Sequence, residues 1–117
     1  MEAYERLWRD FPRLGMKYDA ANWMGKGMDP LPAPRKHGDK ILHVHIKDHL
    51  YHEGELASQP AAGMGDVPFP KILAFLYEHR YAGALSIEPH GPWQKRPDLR
   101  AKMLRLSKRY LEPMLLP

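Results

Sequence analysis

Ile41-Leu42-His43-Val44-His45-Ile46-Lys47 is the stretch that decides the fold. Aliphatic residues alternate in it with polar ones, the two-residue period of a β-strand. On that period Leu42, Val44 and Ile46 share one face, and Ile41, His43, His45 and Lys47 share the other. Two further stretches follow the same plan. Leu14 to Asp19 puts Leu14, Met16 and Tyr18 on one face, with Lys17 and Asp19 opposite. Gly83 to Glu88 puts Leu85 and Ile87 on one face, with Ala84, Ser86 and Glu88 opposite.

Helical spacing fills the intervals. Tyr4, Leu7, Trp8 and Phe11 form an i, i+3, i+4, i+7 stripe that Pro12 and Gly15 close. Residues 20–40 carry three glycines and three prolines, which leaves room for one or two turns around Leu31 to His37. Asp48 to Pro68 reads as a long loop. Ile72, Leu73, Leu76 and Tyr77 mark a helix from Phe69 to about Arg80. The last helix runs from Pro97, a residue suited to a first turn, to Leu111, with Leu99, Met103, Leu106 and Tyr110 as its expected buried stripe. Strands alternating with helices indicate an α/β fold of parallel βα units.

Composition narrows the function classes. The chain has 117 residues, 44% of them hydrophobic, which is one domain's length and too apolar for a disordered tail. It is read as a single domain over 1–117. No apolar run approaches the roughly 20 residues of a membrane helix, and the first residues lack the pattern of a signal peptide. With no cysteine there is neither a disulfide framework nor a thiolate metal site. A cytoplasmic location is the default expectation. The net charge of +4 raises the question of nucleic acid. Much of the excess, however, lies in Lys95, Arg96, Arg100, Lys102, Arg105, Lys108 and Arg109, which a solvated helix face explains better.

The strand ends carry the chemistry. Each polar face finishes on a residue able to bind metal: Asp19, His45 and Glu88. Strands of a doubly wound sheet are covered on both sides and tend to be apolar throughout. A polar face on every strand suits a barrel interior, and (β/α)8 barrels keep their active sites at the C-terminal strand ends. Two carboxylates and an imidazole suit Mn²⁺, Mg²⁺, Co²⁺ or Zn²⁺. Taken singly, each residue also has an ordinary use, as a turn cap, a hydrogen-bonded core histidine or a lone strand-end carboxylate. The segment His43-Val44-His45-Ile46-Lys47-Asp48-His49 nearly matches the HxHxDH pattern of metallo-β-lactamase-like hydrolases, but one extra residue puts Asp48 and His49 out of step. His49 and His52 are expected to be polar loop residues or neighbours of a ligand. Gly63-Met64-Gly65 before a helix is open to two readings, an anion-binding turn or glycines needed for the backbone alone.

Four segments in order, Tyr18 to Asn22, His43 to Asp48, Gly63 to Leu73 and Tyr81 to Pro89, resemble the sugar phosphate isomerase/epimerase family of the xylose isomerase-like TIM barrel superfamily. The resemblance implies a partial (β/α)8 barrel, about three parallel strands corresponding to strands six to eight, with flanking helices. It implies a divalent metal cofactor held by Glu, Asp, His and Glu, three of which match Asp19, His45 and Glu88. Glu88 would also be one of two carboxylates that move a proton next to a substrate carbonyl, through an enediolate. Asn22 stands where several members contact substrate. Lys47 and His90 are expected near a sugar, a sugar acid or a phosphate.

The strand-five Glu of that set would precede Met1, and Glu2 and Glu5 on the leading helix do not replace it. The chain is therefore expected to be a fragment, a truncated product or half of a homo-oligomer, inactive alone. Two rival functions are a non-catalytic remnant or partner subunit of the same fold, and an endonuclease IV-type DNA-repair nuclease. The nuclease needs more metal ligands than these strand ends offer.

Overall fold

The computed structural model describes residues 1–115. Its elements in chain order are α1 (Glu2–Asp10), β1 (Met16–Asp19), α2 (Ala20–Gly25), α3 (Pro32–His37), β2 (Ile41–Ile46), β3 (Leu50–His52), β4 (Glu55–Ser58), α4 (Phe69–Glu78), β5 (Ala84–Ile87), α5 (Gly91–Lys95) and α6 (Pro97–Leu111). Strands β1, β2 and β5 form a parallel sheet in the order β1-β2-β5, with helical crossovers between them. This is part of a TIM barrel: three parallel strands with helices outside, and β1 and β5 as open edges.

The core lies between the apolar face of the sheet and the helices. Met16, Tyr18, Val44 and Ile46 meet Trp23, Phe69, Ile72, Leu73 and Leu76, all of them buried. Full burial of a side chain of this size contributes roughly 1.5–3 kcal/mol. The Tyr18 hydroxyl, fully buried, donates to the Pro30 carbonyl at 2.5 Å and so ties β1 to the segment leading into α3.

Several expectations need correction. Leu42 does not share the buried face of Val44 and Ile46; it is 63% exposed, and Ile41 is buried instead. The β1–β2 register pairs Met16 with Ile41 but Lys17 with His43, so Leu42 is the extra residue of a bulge and the alternation slips there. Leu14 lies outside β1 and is exposed. In α6 the buried line is Met103, Ser107 and Leu111, whereas Leu106 is exposed. Ser107 goes inward because its Oγ accepts a 2.9 Å hydrogen bond from the Ala62 amide, a partner that a leucine would leave bare.

The expected loop from Asp48 to Pro68 contains an antiparallel hairpin, β3 with β4. Its turn is Glu53-Gly54, both at positive φ (51° and 79°), a backbone that glycine adopts freely. A short helix, α2, also occupies part of the segment expected to be irregular. It follows β1 directly because the Asp19 carboxylate caps it, accepting from the Asn22 amide at 3.0 Å.

Of the expected stripe on α1 only Trp8 is buried, while Tyr4, Leu7 and Phe11 are exposed. Leu14 and Leu42 are exposed as well. The basic residues of α5 and α6, from Lys95 to Arg109, are solvent-exposed, as a solvated face requires.

Candidate metal centre

The parallel register sets Asp19 level with His45, and His45 level with Ser86. Glu88, just past the end of β5, donates its amide to the Ile46 carbonyl at 2.9 Å, so the β2–β5 pairing continues to the centre. Three strand ends therefore deliver an Asp, a His and a Glu to one point. One ligand atom from each lies within 4.8 Å of the other two, and among the described residues this is the sole such group. His45 Nδ1 is 2.9 Å from Glu88 Oε2 and 3.9 Å from Asp19 Oδ2.

Burial at the centre is graded. Asp19 is 4% exposed, His45 20% and Glu88 36%. Asp19 spends one oxygen on the α2 cap. Its Oδ2 is buried and makes no hydrogen bond of good geometry, although charged groups stand near it. A buried carboxylate oxygen without a hydrogen bond is costly; an ion pair with Lys47 offsets part of that cost, and a divalent ion would offset more. The donor set fits a divalent ion: hard carboxylate oxygens and a borderline imidazole nitrogen, with three protein ligands, the number that catalytic zinc sites keep.

Lys47 sits inside the cluster, 6% exposed, its Nζ 3.0 Å from Asp19 Oδ2 and 3.6 Å from Glu88 Oε2. It donates to Asn22 Oδ1 at 2.8 Å. His90, at the mouth, lies 3.2 Å from the other Glu88 oxygen, Oε1. Burial raises the Glu88 pKa, but hydrogen bonds from His90 and His45 and the charges of Lys47 and His45 outweigh it, holding the carboxyl at about 2. Glu88 is thus a carboxylate at any working pH. Asn22, Lys47 and His90 all border the three-residue cluster, and a cleft of about 350 Å³ opens beside Asp19 and Asn22, walled by Tyr4, Lys17 and Trp23.

Residues 1–110 match the xylose isomerase-like TIM barrel family. The chain belongs to that family. Its relatives include the rhizopine catabolism protein MocC of Rhizobium meliloti, 33% identical over 106 residues, an alignment covering 78% of this chain and 33% of MocC. A xylose isomerase domain protein from Planctomyces limnophilus superimposes with a TM-score of 0.73 at 27% identity, covering 96% of this chain and 43% of that one. The IOLI protein, solved with a bound zinc atom, shares the fold at a TM-score of 0.69 and 19% identity, with 96% and 42% covered. The chain thus spans less than half the length of these relatives.

Within this family member two features escaped the sequence reading. The first is Asp48, fully buried. Its carboxylate accepts from the amides of His49 (2.9 Å), Gly63 (2.9 Å), Gly65 (3.0 Å) and Val67 (3.0 Å). The Gly63-Met64-Gly65 turn does form a nest of N–H groups, but the chain's own carboxylate fills it. A Cβ at Gly65 would run into Asp48 and into the His49 carbonyl, which is why the position is glycine. The second is a buried network around His49, whose Nδ1 is 3.2 Å from the Tyr51 hydroxyl and Nε2 3.1 Å from the Gln59 amide nitrogen. An amide NH₂ only donates, so in this arrangement His49 Nε2 accepts, which favours the neutral ring. Burial lowers its pKa in the same direction, assisted by the Lys47 charge. His52, by contrast, is 78% exposed on the hairpin. The only sequence signal for either feature is the Asp-His pair that follows the strand.

Proposed function

We propose that the chain carries the metal-binding part of a sugar or sugar-phosphate isomerase/epimerase. The observation that carries the reading is the meeting of Asp19 Oδ2, His45 Nδ1 and Glu88 Oε2 at three adjacent parallel strand ends, with Oδ2 buried and lacking a good hydrogen bond. These three residues would hold the ion. When bound, it supplies Lewis acidity toward a substrate carbonyl or hydroxyl.

The chain's own residues divide the remaining work. The two Glu88 oxygens face different ways. Oε2 faces the cluster, and Oε1 faces His90 at the mouth, where it can take a proton from the carbon next to a substrate carbonyl. A carboxyl held at about 2 is ionised and a weak base. Asn22, Lys47 and His90 bind and orient substrate oxygens. Lys47, as the cation, favours a carbonyl, carboxylate or phosphate.

The relatives' greater length and the open edges of β1 and β5 support a further part of the reading. The rest of a barrel closes on these edges, supplied by another stretch of polypeptide or by a second copy. Among the described residues no acidic group joins the three ligands, and Glu5 is engaged with His37 at 3.1 Å on α1. That observation favours, as second reading, a partner subunit with no chemistry of its own.

Deuterium exchange from D₂O into the carbon next to the carbonyl, followed by NMR over a panel of ketoses with Mn²⁺ present, separates the two. Exchange that is lost in Glu88→Gln supports the isomerase. No exchange across the panel, with Mn²⁺ still bound, supports the partner subunit.

A further inference from the structure

Lys47 is the group the metal reading leaves least explained. A lysine this buried needs a strong reason, since removing an ammonium from water is costly unless it is paired. Here it forms ion pairs with Asp19 Oδ2 and Glu88 Oε2 and donates a hydrogen bond to Asn22 Oδ1. The first two are the same oxygens that approach His45 Nδ1, and so the same atoms that a divalent ion would take. The two carboxylates and one ammonium sum to a single negative charge. A divalent ion added to that set leaves a single positive one, with two cations sharing two oxygens.

We propose that Lys47 is a resident cation that a divalent ion displaces. In the metal-free protein the ammonium neutralises Asp19 and Glu88 and keeps the strand ends from repelling one another. On metal binding it gives up both oxygens and, with Asn22 as its remaining partner, turns toward the mouth. Loading the centre and presenting a positive substrate contact are then one event. Metal binds first, and an anionic or carbonyl-bearing substrate meets a lysine that was previously engaged. This inference rests on the metal reading above.

The test uses the full 117-residue chain and two readouts. Calorimetric titration with Mn²⁺ compares the wild type with Lys47→Met. Without the competing ammonium, affinity rises about tenfold or more, the scale on which a nearby like charge acts, while the melting temperature of the metal-free variant falls. The second readout needs no variant: amine labelling at Lys47, followed by mass spectrometry, is slow without Mn²⁺ and accelerates at saturating Mn²⁺. Equal or weaker Mn²⁺ binding by a folded Lys47→Met, or labelling of the wild type unchanged by bound metal, overturns the displacement and leaves the metal centre standing. Absence of Mn²⁺ binding in both proteins overturns the metal reading and this inference with it.

Discussion

Asp48→Asn tests whether the segment that follows β2 is organised by one buried carboxylate. Asp48 Oδ1 accepts from the His49 and Val67 amides and Oδ2 from those of Gly63 and Gly65. Asparagine keeps one oxygen and turns an NH₂ toward the other pair, so two backbone donors lose their acceptor. The least damaging arrangement keeps the oxygen on His49 and Val67, whose bonds are the more buried. It faces the NH₂ toward Gly63 and Gly65, which water partly reaches. Each unsatisfied buried donor costs about 1–3 kcal/mol. Burial raises the Asp48 pKa against the pull of its four N–H partners, so losing the charge returns part of that sum. The expected destabilisation is about 2–4 kcal/mol. Urea unfolding reads it as a lower midpoint at unchanged slope, and hydrogen exchange at the Gly63 and Gly65 amides speeds up. A change below about 0.5 kcal/mol, with exchange at those amides unaltered, would refute the account of this loop.

Three further outcomes are expected. The folded-state pKa of His49 lies below its unfolded value of 6.5, so the unfolded chain binds the extra proton first; its contribution to stability is present above pH 6.5 and is lost as pH falls through the lower, folded value. The melting temperature should decline across that window, less steeply in His49→Gln, and parallel curves for the two proteins would contradict it. Tyr18→Phe, which removes the buried donor to the Pro30 carbonyl, should cost about 1–2 kcal/mol in urea unfolding, whereas a neutral change would mean that this bond does not tie β1 to the chain ahead of α3. The open β1 edge and the exposed Leu7, Phe11 and Leu14 near it in sequence should drive self-association measurable by sedimentation, which Phe11→Lys weakens; a monodisperse monomer at high concentration would count against an edge that takes a partner.

The parts of the fold legible in the sequence were those written in short-range patterns. Period-two alternation marked β2, and strand-end chemistry singled out Asp19, His45 and Glu88, because parallel pairing brings strand ends together without further information. What was hidden depends on partners far along the chain. Leu42 looked like a core residue because a bulge leaves no local mark. The spacing places Leu106 inside, and nothing local marks Ser107 as buried, since the Ala62 amide that it meets lies 45 residues away. The hairpin strands are only three and four residues long, too short for a two-residue period to show. Asp48 is out of step with a metal motif in the sequence, which fits its place: it faces backbone amides and not the cluster. The stripe of α1 is helical as its spacing predicts, yet among the described residues most of it stays exposed.

Calorimetric titration of Zn²⁺ into the wild type and into Asp19→Asn, His45→Ala and Glu88→Gln tests the central claim most directly. One ion per chain is expected for the wild type, with binding weakened severely in all three variants while each stays folded by circular dichroism. Zn²⁺ binding that survives in all three folded variants, or that is absent from the wild type, would contradict it.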